Sequence, residues 1–518
     1  MVVNMCNQDK KLPEVALTTE ELAKKHKEAL VKYLEKIDDV IAKGPYKDDW
    51  DSLRDHKVPT WYTKAKFGIF IHWGVYSVPA FGEWYPRFMY MPNHEKYGKK
   101  FVAHHLETYG PQKEHGYRDF VPMFRAEKYD PSAWADLFEE AGAKFVMPVA
   151  EHHDGFQMYD SELSEWCATK KGPMRDCIGE LKAELDRRSM VFTTSSHRAE
   201  HYWFMSGGRE FDSDITGEFP YSDIYWPSYA DPYETQAEYD YVKEIDTLFL
   251  EDFLARTCEI VDRYHPKILY FDAWIQSECF KPYLKKIAAY YYNRALQWGE
   301  EVTINYKFDA FMQSVGTPDI ERGQLSNISP TFWQNDTSVG TKSWCYSTTN
   351  EFKKTNDILC DLVDIVSKNG SLLLNIGPKA DGTIPEEDTK ILKEIGAWMK
   401  VNGEGIYETT YWKKFGEGPT FVEEGHFMDE KRGAFTEEDF RFTFKDGYLY
   451  AFALKWPESG EVHIKSLGRY VRQYCSTILD VEVFGGSNTT FAHENDYLRV
   501  SSNVEHVMGP VCMKIKLD

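Results

Sequence analysis

Between residues 60 and 405 the chain repeats one pattern, a short apolar run without strict alternation followed by a stretch with helical spacing. The runs are FGIFIHW (67–73), KFVMPVAEHH (144–153), MVFTTSSH (190–197), KILYFDAW (267–274), VTINYKF (302–308) and SLLLNIG (371–377). Helical spacing falls at 132–142, 176–188, 234–264, 281–298, 351–368 and 386–402. Strands that are apolar on both faces and alternate with helices belong to a parallel sheet covered on both sides. Six or more such units favour closure into a (β/α)8-like barrel, possibly irregular, over an open doubly wound sheet. No GxGxxG or GxxxxGK[ST] follows any of the runs, so a nucleotide site has no support.

The flanks read differently. Residues 18–43 are charged, with Leu22, Leu30, Tyr33, Leu34, Ile37 and Ile41 at helical spacing and Thr18 or Thr19 as the cap. This predicts a helical extension, followed by a linker opened by Gly44-Pro45, so that residues 1–59 precede a barrel at 60–405. After Asn402-Gly403, FRFTFKDGYLYAFALKWP (440–457) alternates strictly around Lys445-Asp446-Gly447, a hairpin signal. Further alternating segments predict an antiparallel β-sandwich over 406–518.

With 61 basic against 83 acidic residues the formal charge is −22, which argues against nucleic acid or an anionic membrane as a partner. Nine cysteines stand singly, without a CxxC pair, and no segment is apolar enough to span a bilayer. Reduced thiols and the absence of an apolar leader suggest a cytoplasmic protein. A homo-oligomer stays open.

Several polar groups sit where a barrel places its chemistry, at the C-terminal ends of strands. Asp272 ends LYFDAW; its plain alternative is a helix cap or ion pair. PDIERG (318–323) offers Asp319, Glu321 and Arg322. Two carboxylates from neighbouring strands can cleave a glycoside, one acting on the anomeric carbon or on water, the other protonating the leaving oxygen. AKFGIFIHWGVYSVPAFGEWY (65–85) carries His72, Glu83 and Trp84, and aromatic faces beside a carboxylate and an imidazole suit a sugar. EHHDGF (151–156) contributes His152, His153 and Asp154; a metal, structural histidines and substrate hydrogen bonding are the three readings, and adjacent histidines in an extended chain diverge, which disfavours the metal. SSHRAEHYW adds His197, Glu200 and His201, or else a loop ion-pair cluster. Trp344 is drawn toward the site, while Cys345, without a nearby histidine, reads as a buried inert thiol.

Together these motifs resemble the α-L-fucosidases of glycoside hydrolase family 29, from about Trp61 to Thr409. AKFGIFIHWGVYSVPAFGEWY, EHHDGFQMYDSELSEW, ILYFDAW and NGSLLLNIGPKADGTIP followed by IGAWMKVNGEGIYET match in the family's order. The resemblance implies a barrel plus a β-sandwich, no cofactor and no metal, and retaining exo-hydrolysis of terminal α-L-fucosyl residues from fucosylated glycans. It implies Asp272 as nucleophile, Glu321 as acid/base, and His72, Glu83, Trp84, His152 and His153 around the sugar. Departures are Tyr270 where the family has Trp, and Asn305-Tyr306-Lys307 where it has Asn–x–Arg, so that a point charge replaces a planar fork. His197 stands in for an aromatic start of the third-strand loop. Tyr270, His197, Lys307 and Trp344 complete the expected sugar-binding set. A fucose-binding protein without catalysis, and a glycosidase for a related sugar such as L-galactose, share these motifs.

Overall fold

A computed structural model describes residues 17–229, 244–429, 431–471, 476–505 and 507–518. Its centre is a closed parallel barrel. The strands are β1 (Phe67–Ile71), β2 (Phe145–Glu151), β3 (Val191–Phe192), β4 (Thr194–Ser196), β5 (Ile268–Phe271), β6 (Thr303–Tyr306), β7 (Thr317–Glu321), β8 (Trp333–Ser338) and β9 (Gly370–Ile376). They pair in the order β1-β9-β8-β7-β6-β5-β4-β2, and β1 pairs with β2 to close the ring. The segments β3 and β4 both pair with β2 and form one barrel position, interrupted at Thr193.

The six apolar runs all became barrel strands. Two strands were not among them. β7 lies in the PDIERG block, and β8, WQNDTS, has almost no apolar side chain although all six residues are buried. The reason is the barrel's interior, which is divided. One part is apolar, with Phe70, Phe145, Met147, Val149, Ile268, Tyr270, Phe332 and Leu373 in one cluster. The other part is hydrogen-bonded: Tyr62 Oη donates to Gln334 Oε1 (2.6 Å), Asn305 Nδ2 donates to Tyr62 Oη (2.8 Å), and Gln334 Nε2 donates to Asp319 Oδ2 (2.7 Å). Buried polar atoms that pair with one another are tolerated, and the strand carrying them loses its hydrophobic signature.

Helices Pro131–Glu140, Cys177–Arg187, Thr247–Tyr264, Lys281–Trp298, Thr355–Ser367 and Glu386–Asn402 cover the outside. The helix expected over 234–264 begins at Asp246, whose side chain caps it by accepting from Leu248 N; residues 234–243 lie outside the described residues. The N-terminal helix α1 (Thr19–Lys43) has a full capping box between Thr18 and Glu21 and buries Leu30, Ile37, Val40 and Ile41. It lies on helices Thr247–Tyr264 and Lys281–Trp298, with Lys286 Nζ bonded to Asp38 at 2.7 Å. The stretch after Gly44 is packed and tied down: Leu53 is buried, and Tyr46 N donates to Asn293 Oδ1 at 3.0 Å.

Beyond the barrel stand two antiparallel sheets. One has the order β10-β11-β12-β17-β14 and the other β13-β16-β15. Their strands are β10 (Thr410–Glu417), β11 (Phe440–Lys445), β12 (Tyr448–Ala453), β13 (Glu461–Ile464), β14 (Ile478–Val483), β15 (Gly486–His493), β16 (Leu498–Val504) and β17 (Val511–Leu517). Phe440, Phe442, Leu449, Val462, Ile464, Val500 and Ile515 share one core across both sheets, which makes a sandwich. The hairpin turn falls on Asp446 (φ 51°) and Gly447 (φ 83°), the two positive φ angles of a type I′ turn.

Candidate active site

Most of the side chains that line the candidate site come from the C-terminal end of a barrel strand or the loop after it. His72 follows β1, His152 and His153 follow β2, His197 follows β4, Asp272 follows β5 and Lys307 follows β6, while Glu321 ends β7 and Asp336 lies on β8. A cavity of about 760 Å³ opens among them. All eleven sequence-predicted site residues line it: Asp272, Glu321, His72, Glu83, Trp84, His152, His153, His197, Tyr270, Lys307 and Trp344.

Lys307 organises the floor. Its ammonium donates to Asp272 Oδ1 at 2.9 Å and to Glu321 Oε2 at 2.5 Å, which holds these oxygens no more than about 5.4 Å apart. Retaining glycosidases set their two carboxyl groups at about 5–5.5 Å, and inverting ones at about 6.5–9.5 Å. Asp272 also accepts from His197 Nδ1 at 2.9 Å and from the Ala273 amide at 2.8 Å. Burial would raise the Asp272 carboxyl, but the Lys307 charge and the His197 bond outweigh it and hold it well below the usual carboxylate range. Glu321 goes the other way. Burial, reinforced by the charges of Asp336 and Asp272, pushes it to about 7 against the opposing pull of Lys307. The pair therefore divides into an ionised and a protonated member near neutrality.

Behind Lys307 is a second carboxyl pair. Asp336 Oδ2 accepts from Tyr270 Oη at 3.1 Å and lies 3.8 Å from Lys307 Nζ. Asp319 lies within hydrogen-bonding reach of Asp336, and each leaves its Oδ1 without a donor. Two carboxylates cannot satisfy one another, so a proton belongs on Asp319, which burial and the Asp336 charge raise well above its ordinary range. Asp336 was not among the sequence candidates; the signal available was one Asp in a run that lacks a strand's apolar pattern.

Several of the side chains that line the cavity are fixed from behind. His72 Nδ1 donates to Asn375 Oδ1 at 2.7 Å, and Asn375 in turn donates to the Trp344 carbonyl at 2.6 Å. The single Asn in the apolar run SLLLNIG was the trace of this clamp. Glu83 Oε2 accepts from Ser343 Oγ (2.7 Å) and Trp344 N (3.0 Å), pinning the loop after β8. His153 donates through Nδ1 to the His197 carbonyl at 2.9 Å, and its Nε2 lies 3.5 Å from Asp272 Oδ2. His197 Nε2 pairs with Ser195 Oγ at 2.9 Å. Burial holds His72 and His152 far below the ordinary imidazole range, so both are neutral and present hydrogen-bonding nitrogens rather than charges. Trp84 meets His153 edge to face at 5.6 Å, and the Trp344 ring lies 5.2 Å from His72.

Of the remaining candidates, Glu200 lines the cavity, while Asp154 and Cys345 take structural roles. Asp154 accepts from Tyr117 Oη (2.6 Å) and the Phe156 amide. Next to His197, Arg198 enters a buried ionic cluster with Glu151, Asp252 and Arg256. The Cys345 thiol is buried and pushed well up by that burial. Among the described residues, His72, His152 and His197, and separately His153, His197 and Asp272, bring ligand-type atoms within 4.8 Å of one another and could hold a metal ion.

One contribution comes from outside the barrel. The Glu321 amide donates to His426 Nδ1 at 3.1 Å, and the Phe427 amide donates to the Glu321 carbonyl at 2.9 Å. Residues 424–429, which the sequence assigned to the sandwich, thus grip the peptide of Glu321.

A barrel whose strand ends bring two carboxyl groups this close together, in a cavity lined by aromatic rings and histidines, is that of a retaining glycoside hydrolase. The sequence profile of the alpha-L-fucosidase family matches residues 34–404, and the chain belongs to that family. It is 30% identical over 436 residues to the tissue alpha-L-fucosidase of Rattus norvegicus, covering 82% of each chain. To the plasma alpha-L-fucosidase of Homo sapiens it is 30% identical over 426 residues, covering 80% of each. The alpha-fucosidase of Thermotoga maritima, solved in complex with a mechanism based inhibitor, superposes with a TM-score of 0.71 at 27% identity, covering 91% of this chain and 99% of that one.

Proposed function

We propose that this protein removes terminal α-L-fucosyl residues from fucosylated glycans with retention of configuration, using Asp272 and Glu321. Asp272 Oδ attacks C1 of the fucoside as the exocyclic C1–O bond breaks, and Glu321 gives its proton to the departing oxygen. Water then adds to C1 of the β-fucosyl-enzyme, Glu321 takes its proton, and the Asp272 ester bond breaks to release α-L-fucose. The observation that carries this reading is a pair of carboxyl groups, at the ends of β5 and β7, bonded to one lysine. His72, His152, His153 and His197 offer the hydrogen bonds that a sugar's hydroxyls require, and Trp84 and Trp344 the apolar faces.

Replacing Glu321 provides the test. Glu321→Ala should lose about 10²–10⁴-fold in kcat/KM on fucosyl-oligosaccharides, the range of general acid–base catalysis, and far less on aryl fucosides with good leaving groups. Azide should restore turnover of the aryl fucoside by taking over the second step. An equal loss on both substrate types without azide rescue contradicts the assignment.

A further inference from the structure

Two phenylalanines stand open at the cavity mouth beside Glu321. Phe308 is 50% exposed and Phe427 55% exposed, and both line the same cavity as the two catalytic carboxyl groups. Both hold positive φ angles, 54° and 59°, which cost a bulky residue free energy and persist only where the surroundings impose them. Between them lies the His426 ring, 4.8 Å from Phe308 and 6.5 Å from Phe427, so the three rings form a row. The segment that bears His426 and Phe427 is tied to the barrel. Met428 N and Asp429 N both donate to the Arg322 carbonyl (2.8 and 2.9 Å), and Asp429 Oδ2 accepts from Thr337 Oγ1 at 2.7 Å and from Lys353. Further back, Ser326 Oγ donates to Glu424 Oε2 at 2.6 Å. Side chains this apolar, anchored yet left open beside a reactive group, mark a surface made for a ligand.

We propose that Phe308 and Phe427 form the platform for the leaving-group sugar, receiving the apolar C–H face of the pyranose to which the fucose is attached. The inference rests on the fucoside-cleaving reading above. A general acid must reach the glycosidic oxygen, so the group released lies on the Glu321 side of the cavity. That side carries this aromatic row, and the segment bearing Phe427 is bonded to the Glu321 peptide at both its N–H and its C=O. The platform and the acid are thereby set at a fixed relative position. Since Phe427 arrives from the far end of the chain and Phe308 from the loop after β6, the preference for the group released depends on contacts between barrel and sandwich.

The experiment compares two kinds of substrate. α-L-fucosyl fluoride has a leaving group too small to reach the row; 2′-fucosyllactose, 3-fucosyllactose and α1,6-fucosyl-N-acetylglucosamine carry a pyranose there. For the oligosaccharide that the parent enzyme cleaves fastest, the ratio of its kcat/KM to that of the fluoride should fall about tenfold in the Phe308→Ala/Phe427→Ala double variant, the loss that about 1.4 kcal/mol of aromatic contact entails. Phe427→Trp, which keeps a ring there, should retain the parent ratio. An unchanged ratio in the double variant overturns the platform, as does an equal fall on both substrates. A parent enzyme that cleaves the fluoride but none of the three oligosaccharides also overturns it, leaving the fucosidase reading intact. A parent enzyme inactive on the fluoride overturns that reading and the platform with it.

Discussion

Asp272 and Glu321 touch the same ammonium, yet they titrate apart because their other neighbours differ. Asp272 collects donors from His197 and the Ala273 amide, whereas Glu321 has Asp336 and Asp272 as like charges. The sign of the pH dependence follows. Glu321 must carry a proton to act as acid, and its pKa is about 7, so kcat/KM on oligosaccharides should fall as pH rises through about 7. Asp272 is held well below the carboxylate range, so loss of its charge should not limit the rate at mildly acidic pH. Asp336 provides the check on the cause. Removing its charge with Asp336→Asn relieves the repulsion on Glu321, so the alkaline limb should move to lower pH in a full pH–rate profile. A variant with less activity but the limb in place would show that Asp336 acts only on structure. Lys307 also answers the departure noted in the sequence. A planar fork is absent, but a compact charge reaches both carboxyl groups at once.

At the scale of elements, strand legibility followed the chemistry of the barrel's interior. β1, β2, β5 and β9 face apolar neighbours and showed as hydrophobic runs, and their terminal polar residues marked the site. β8 spends its inward positions on Gln334, Asp336 and Ser338, hydrogen-bonded to other strands, and gave no periodic signal. Asp336 was missed for that reason. His426 and Phe427 were missed for another: FVEEGHFMDE has no strand or helix pattern, and its place at the mouth depends on backbone bonds to Glu321 and Arg322 that no local spacing encodes. Gly68 is the informative small residue of β1. A Cβ there would sit 2.4 Å from the Phe145 ring of β2, at the seam where the barrel closes. Gly68→Val should cost at least the about 1–3 kcal/mol of overpacking, read as a lower urea midpoint. A variant as stable as the parent would show that the seam has slack.

Across the whole molecule, barrel and sandwich are joined by buried charge as well as apolar contact. Arg441 of β11 bonds Asp364 of helix Thr355–Ser367, and Lys368 meets the same carboxylate at 2.5 Å. Burial would raise Asp364, but Lys368 and Arg441 hold it below its ordinary value. Breaking a buried pair costs about 3–5 kcal/mol. Because Lys368 remains, Arg441→Ala should cost about 3 kcal/mol, the low end of that range, in urea unfolding. A loss below about 1 kcal/mol would mean that the apolar contacts alone seat the sandwich. The seating matters for function, because the sandwich side of the chain supplies the segment that holds Glu321 and presents Phe427. Among the described residues, seven cysteines are free and no helix is long and apolar enough to cross a membrane.

In the reaction proposed above, Asp272 forms a covalent bond to the sugar. Incubating the protein with 2-deoxy-2-fluoro-α-L-fucosyl fluoride, which slows the second step more than the first, and sequencing the modified peptide by mass spectrometry tests it. The expected result is one fluorofucosyl group per chain, on Asp272 in the peptide ILYFDAW, and no labelling of Asp272→Gly. A label on Glu321 or another residue, or hydrolysis that yields β-L-fucose first with no adduct, would contradict it.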